Sequence, residues 1–108
     1  MACTVQLTRD AIRDLDEMFD YIAERDAPRK AAHVIGRIGR EIAGLTEFPN
    51  RGICPKELLQ LGLSDFRQIY FKPYRVIYRV VGKDVYVYLI ADGRRDMQTL
   101  LERRMLDT

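Results

Sequence analysis

Tyr74-Arg75-Val76-Ile77-Tyr78-Arg79-Val80-Val81 is the stretch on which the fold turns. Side chains alternate across a strand, so Tyr74, Val76, Tyr78 and Val80 share one face, and Arg75, Ile77 and Arg79 share the other. Gly82-Lys83-Asp84 reads as a hairpin turn. Residues 85–91 then return as a strand almost unbroken in apolar residues, as expected of one in the middle of a sheet. Upstream, Lys72-Pro73 interrupts the chain after another strand at 65–71. Three strands with such short connections make an antiparallel meander.

Outward from the meander, the period changes from two to 3.6. Ile12, Leu15, Phe19 and Ile22 fall on one helical face, and Asp16, Glu17, Asp20 and Glu24 on the opposite one. Thr8 is placed to cap this helix, which is expected over about 8–25, with Asp10 and Asp14 near its positive end. Asp26-Ala27-Pro28 closes it and opens a second, since proline suits a first helical turn. Ile35, Ile38, Ile42 and Leu45 repeat the stripe, widened by Ala31, Val34 and Ala43, and the helix is expected to stop before Pro49. The connection at 26–28 is so short that the two helices form an antiparallel hairpin. Gly36 and Gly39 each cost the second helix roughly 1 kcal/mol against alanine, and the expected compensation is close approach of the first helix. Residues 3–7 alternate as a short strand, 47–64 read as a loop with a short helical or extended piece near 57–61, and 96–105 form a last helix. The order β-α-α-β-β-β-α describes a single α+β domain spanning the chain, 1–108.

Composition narrows the function by exclusion. The chain has 108 residues, 47% hydrophobic and 31% charged, which rules out a disordered linker. No run approaches the ~20 apolar residues of a membrane span. Met1-Ala2-Cys3-Thr4 has no basic region leading into an apolar one, so the expected location is the cytoplasm. Cys3 and Cys54 are too few for a disulfide framework or a zinc site. Eighteen basic against sixteen acidic residues give a net charge of +2, but the charge is unevenly spread. Residues 8–27 hold three arginines and seven acids, whereas 28–56 hold six basic residues and two acids. That asymmetry reads either as two helices that attract one another or as a basic side that meets an anionic partner.

Few residues carry chemistry. The lone His33 has no acid and nucleophile arranged around it, Cys54 has no neighbouring base, and Gly36-x-x-Gly39 lies inside a helix, so it is no phosphate loop. Neither a metal site nor a cofactor is expected. The informative residues are arginines: Arg67, Arg75 and Arg79 on the strands, and Arg94-Arg95 just beyond them. Arginine is always charged and grips phosphate or carboxylate with two parallel bonds. Such a face is either an anion-binding surface or a salt-bridged structural one, and spacing alone leaves both open.

At these residues the chain resembles a known family. Phe66-Arg67, followed through Lys72-Pro73 by Tyr74-Arg75-Val76-Ile77-Tyr78-Arg79-Val80, is similar to the strand core of the RelE/ParE superfamily of bacterial toxins. The helical hairpin, the 45–49 stretch before a glycine-containing loop, and Gly93-Arg94-Arg95-Asp96 extend the resemblance from Val5 to Arg104. It implies a cytoplasmic toxin of a type II toxin–antitoxin system, neutralised in a hetero-oligomer by an antitoxin encoded beside it. RelE-type members cleave messenger RNA on the ribosome with basic residues and a C-terminal Tyr or His; ParE-type members inhibit DNA gyrase without hydrolytic chemistry. Arg67, Arg75 and Arg95 would serve the first activity. Ile69 and Leu101 stand where that activity expects a lysine and a tyrosine, and Asp92 where many relatives carry His. Leucine cannot donate a proton and Asp92 would repel phosphate, so the resemblance favours a ParE-like gyrase inhibitor. A ribosome-dependent ribonuclease is the alternative, and an inactive antitoxin-binding module a second one. By the same resemblance the antitoxin would contact Phe19, Ile22, Ile38 and Ile42, with Arg37 and Arg40 meeting its acids; these aliphatics would otherwise pack on the chain's own sheet. Arg75, Arg79, Arg94, Arg95, Arg103 and Arg104 are the expected target-facing residues.

Overall fold

The computed structural model describes residues 3–106. Met1 and Ala2, part of the stretch inspected for a secretion signal, lie outside them, as do the last two residues. β1 (Thr4–Leu7) leads into α1 (Arg9–Arg25) and α2 (Pro28–Ala43), a single 3₁₀ turn follows, and α3 is the short Lys56–Leu59 helix. β2 (Phe66–Phe71), β3 (Tyr74–Val81), β4 (Asp84–Asp92) and α4 (Met97–Leu106) complete the chain. The four strands form one sheet in the order β1-β4-β3-β2. β4 is therefore central, antiparallel to β3 and parallel to β1, as its apolar run predicts.

The local signals for each element are visible. Thr8 Oγ1 accepts from the Ala11 N–H at 3.1 Å and starts α1. Pro28 opens α2. Gly82 has φ +61° at the first position of the β3–β4 turn, which suits glycine because it has no Cβ to clash. The helical hairpin covers one sheet face, where Ile38, Ile42 and Leu45 meet Val76, Tyr78, Val85 and Val87. On the opposite face, Leu58 of α3 and Met97 and Leu101 of α4 meet Phe66, Ile77 and Leu89.

Two expectations need correction. Ile12 is 50% exposed, and the fully buried residue is its neighbour Ala11. The contact line of α1 runs through Ala11, Leu15, Met18 and Ile22, because Asp14 must reach the β4 backbone from the same side. Nothing approaches Gly36 or Gly39: a Cβ at either would meet no atom within 4 Å, so helix packing does not explain them. β4 also does not alternate regularly. Tyr78 pairs with Val87 but Ile77 pairs with Leu89, so Tyr88 is an extra residue in a bulge. That insertion turns Val85, Val87 and Ile90 all toward the hairpin and leaves Leu89 and Ala91 on the opposite face.

Candidate functional site

Arg75 is the most enclosed of the expected site arginines, at 7% exposure. Its Nη1 and Nη2 donate to the two carboxylate oxygens of Glu57 at 2.8 and 2.9 Å, and its Nε donates to Gln68 Oε1 at 2.7 Å. The Tyr70 ring lies 6.0 Å from the guanidinium. Hydrogen bonding from Arg75 holds the Glu57 carboxyl below the usual carboxylate range, even though burial pushes the other way. The same pair raises Arg75 above its ordinary value. Gly93 is required beside it, since a Cβ there would come within 2.8 Å of Arg75 Cδ and 3.0 Å of the Pro73 carbonyl oxygen. Where the sequence reading expects Arg75 to face a target, the structure gives it a carboxylate partner from the chain itself.

Arg67 and Arg104 are similarly engaged. Arg67 Nη1 donates to the carbonyls of Asn50 and Gly52 at 3.0 and 2.7 Å. Tyr78 holds the same loop, its hydroxyl donating to the Pro49 carbonyl at 2.7 Å and accepting from the Gly52 N–H at 3.0 Å. Only glycine fits at 52, where a Cβ would lie 2.5 Å from the Gln68 carbonyl oxygen. Arg104 reaches back from α4 to Asp14 with two bonds of 2.9 Å and to the Tyr88 carbonyl at 2.7 Å. Asp14 in turn accepts from the Ile90 N–H at 2.9 Å. These bonds close the β4 edge beyond the end of β1, so Arg104, like Arg75, has a carboxylate partner within the chain.

The remaining arginines stay near solvent. Arg79 stands 6.0 Å over the Phe66 ring and 3.9 Å from Asp65. Arg94 is exposed but grips Asp92, its Nη2 donating to Oδ2 at 2.6 Å, and this holds the Asp92 carboxyl below its ordinary range. Arg95 and Arg103 are exposed. The structure thus separates the expected set into an outer group of Arg79, Arg94, Arg95 and Arg103 and an inner group of Arg67, Arg75 and Arg104. Ile69 and Leu101 are both buried in the core. Cys54 is half-buried, and desolvation pushes its thiol up, away from the reactive thiolate.

The hairpin residues expected to meet a partner are mostly occupied as well. Ile22, Ile38 and Ile42 lie in the core beneath the hairpin, with Phe19 half-buried against it. Much of the apolar surface of these residues is given to the chain's own sheet. Arg37 stacks 4.9 Å over the Phe71 ring, and Arg40 is exposed. One open concavity lies along α1: a groove of about 670 Å³ between the second half of that helix and the end of β4, lined by Met18, Tyr21, Ile22, Arg25, Tyr74 and Arg95 among others. Sequence reasoning missed Glu57, Asp14 and Tyr21. The two acids find their arginines 18 and 90 residues away, beyond any local pattern.

Fold and site together define a small toxin-like domain of the RelE/ParE type, with a sheet clasped between an N-terminal helical hairpin and a C-terminal helix. The same fold occurs in a chain of the chromosomal ParDE toxin–antitoxin system of P. aeruginosa, with a TM-score of 0.71 at 22% identity, covering 84% of this chain and 96% of that one. It occurs also in the E. coli toxin RelE, with a TM-score of 0.66 at 15% identity, covering 98% and 100%. Sequence narrows the assignment further. Residues 5–97 match the family described as the ParE toxin of the type II toxin–antitoxin system parDE. Over 97 residues the chain is 32% identical to Toxin ParE3 of Caulobacter vibrioides, covering 90% of this chain and 93% of that protein. This chain belongs to the ParE toxin family.

Proposed function

We propose that this toxin inhibits DNA gyrase and is held inactive by a cognate antitoxin. The observation that carries the gyrase reading is the state of Arg75. A ribonuclease needs an arginine free to stabilise a charged phosphorane and a group that can exchange protons with the ribose and the leaving oxygen. Here Arg75 is saturated by Glu57 and Gln68, and Leu101 is packed in the core. The outer arginines suit a binding task instead, since exposed guanidiniums recognise carboxylate and phosphate without bond making. A sheet braced by internal ion pairs is a rigid platform for presenting them. Family membership supports the antitoxin partner, as does the TM-score of 0.71 to a chain of a ParDE system.

Supercoiling of relaxed plasmid by purified gyrase, titrated with the toxin, tests this reading. Loss of supercoiling near equimolar toxin, with linear DNA accumulating, is the expected result. Undiminished supercoiling at large excess, together with cleavage of messenger on ribosomes, would replace it with the nuclease reading. Normal growth on forced expression without antitoxin would leave an antitoxin-binding module only.

A further inference from the structure

The uneven charge of the helical hairpin acquires a geometry in the fold. Asp16, Asp20 and Glu24 recur every fourth residue along α1, on the side opposite its buried residues Ala11 and Ile22. Arg29, His33 and Arg40 form a second row along α2, opposite Ala31, Val34 and Ile38. All of these polar side chains are exposed. The two rows therefore run side by side on the outer surface of the hairpin, facing away from the sheet.

The rows do not neutralise one another inside the chain. Among the described residues none of Asp16, Asp20, Glu24, Arg29, His33 and Arg40 has an ion-pair partner, because each row points outward past its neighbour. The charges beside them are taken: Lys30 lies 3.2 Å from Asp26, Glu41 2.8 Å from Arg51, and Arg13 4.0 Å from Asp10. A partner for this surface has to set a basic row over the acidic one and an acidic row over the basic one. A nucleic-acid backbone does not, since Asp16, Asp20 and Glu24 would repel its phosphates, and a uniformly acidic protein fails for the same reason.

The hairpin itself meets the requirement. A half-turn about an axis parallel to the helices, between two facing copies, sets α1 of one over α2 of the other. The chain reverses between α1 and α2 at 26–27, so residues equally far from that reversal lie at the same height. Glu24 then stands opposite the second copy's Arg29, and Asp20 opposite the second copy's His33, whose ring N–H can donate to it. Asp16 stands opposite the second copy's Arg37, within a helical turn of the second copy's Arg40. Each of these pairings occurs twice across the axis. Gly36 lies in the middle of the α2 face, and even a Cβ there would meet nothing within 4 Å, so no side chain at 36 holds the facing helix off. We infer that the outer face of the hairpin is a self-complementary surface on which two copies of the free toxin associate, acidic row against basic row. The inference does not depend on the gyrase reading. Exposed ion pairs are individually weak, so the association belongs to high toxin concentration and low salt.

Sedimentation equilibrium of the purified full-length toxin tests this with three proteins: wild type, Asp16→Lys/Asp20→Lys/Glu24→Lys, and Arg29→Glu/His33→Glu/Arg40→Glu. All the substituted side chains are exposed, and matched circular dichroism and melting curves confirm folding. Wild type should pass from one chain mass to two as its concentration rises, with a dissociation constant that increases at least about 10-fold between about 0.05 M and about 0.5 M salt. Each variant alone should stay a monomer, because both of its rows then carry the same sign. Mixed in equal amounts, the two variants should associate again, since every row meets its opposite. Wild type that remains a monomer up to about 1 mM at low salt overturns the inference, and if that monomer binds a DNA duplex through the α2 row, the basic side belongs to a polyanion instead. A dimer that persists in either variant alone overturns it as well. So does a pair of variants that lose self-association and fail to recover it on mixing, because row-against-row pairing would then not be its cause.

Discussion

Beneath the helical hairpin, Ile38, Ile42 and Leu45 meet Val76, Val85 and Val87, and the residues that close this layer are almost wholly apolar. Across the sheet, Leu58, Leu89, Met97 and Leu101 make a smaller core that shares its layer with Arg75, Glu57 and Gln68. The first layer is held by burial, a non-directional effect spread over many contacts. The second is pinned at two points: Glu57–Arg75, which fixes α3, and Asp14–Arg104, which fixes the end of α4. Gln98 links the first of these to α4, donating to the Glu57 carbonyl at 3.3 Å. The lesson is that charge on a strand has to be read by its depth, since arginines a few residues apart serve the fold in one place and solvent in another.

The largest effect should come from breaking the inner pin. Glu57→Gln leaves Arg75 buried without its counter-charge and is expected to cost about 3–5 kcal/mol, read from urea denaturation. The loss should shrink in acid. Glu57's carboxyl is depressed in the folded state, so its contribution is fully present above its unfolded-state value and disappears as pH falls through the folded one. Urea midpoints of wild type and Glu57→Gln should therefore converge on acidification; a constant gap would show that packing rather than charge is at stake.

Asp14→Asn comes next, at about 2–3 kcal/mol, because it weakens the bonds to Arg104 and to the Ile90 N–H together. Amide exchange at Ile90 should accelerate in that variant, and protection equal to wild type would contradict the edge-closing role. Ile38→Val in the hairpin layer removes one methyl group from a fully buried side chain and should cost about 1 kcal/mol, with no dependence on pH. The smallest effect has the opposite sign. Gly36→Ala and Gly39→Ala, where an added Cβ meets nothing within 4 Å, should each stabilise by about 0.5–1 kcal/mol in thermal melts. A loss at either position would mean that an unseen contact constrains the helix.

The hairpin layer was legible because it is written in period: the helical stripe at Ile38, Ile42 and Leu45 and the strand alternation at Tyr74 to Val80 both appear in the structure. The opposite layer was not. Glu57 sits in a loop with no periodic context, and its partner lies two elements away. The bulge at Tyr88 changes which side β4 residues face, and an unbroken apolar run hides such a change. Ile12 misled because three-four spacing locates a stripe only to within about one residue; the neighbouring Ala11, too small to weigh in a hydrophobic count, is the residue that touches the sheet. The arginines were visible as a set, but their division into inner and outer groups depends on acids that the sequence does not pair with them.

That division is the central claim, and gyrase inhibition by the double variant Glu57→Met/Arg75→Met tests it most directly. Replacing a buried ion pair by apolar side chains of similar volume often leaves stability intact, so a folded protein is expected. Supercoiling of relaxed plasmid should then be blocked by wild type and double variant at the same toxin concentration within about twofold, because on this account Arg75 never meets the target. A double variant that folds and melts as wild type does, yet no longer inhibits the enzyme that wild type stops, would contradict the account and return Arg75 to the working surface.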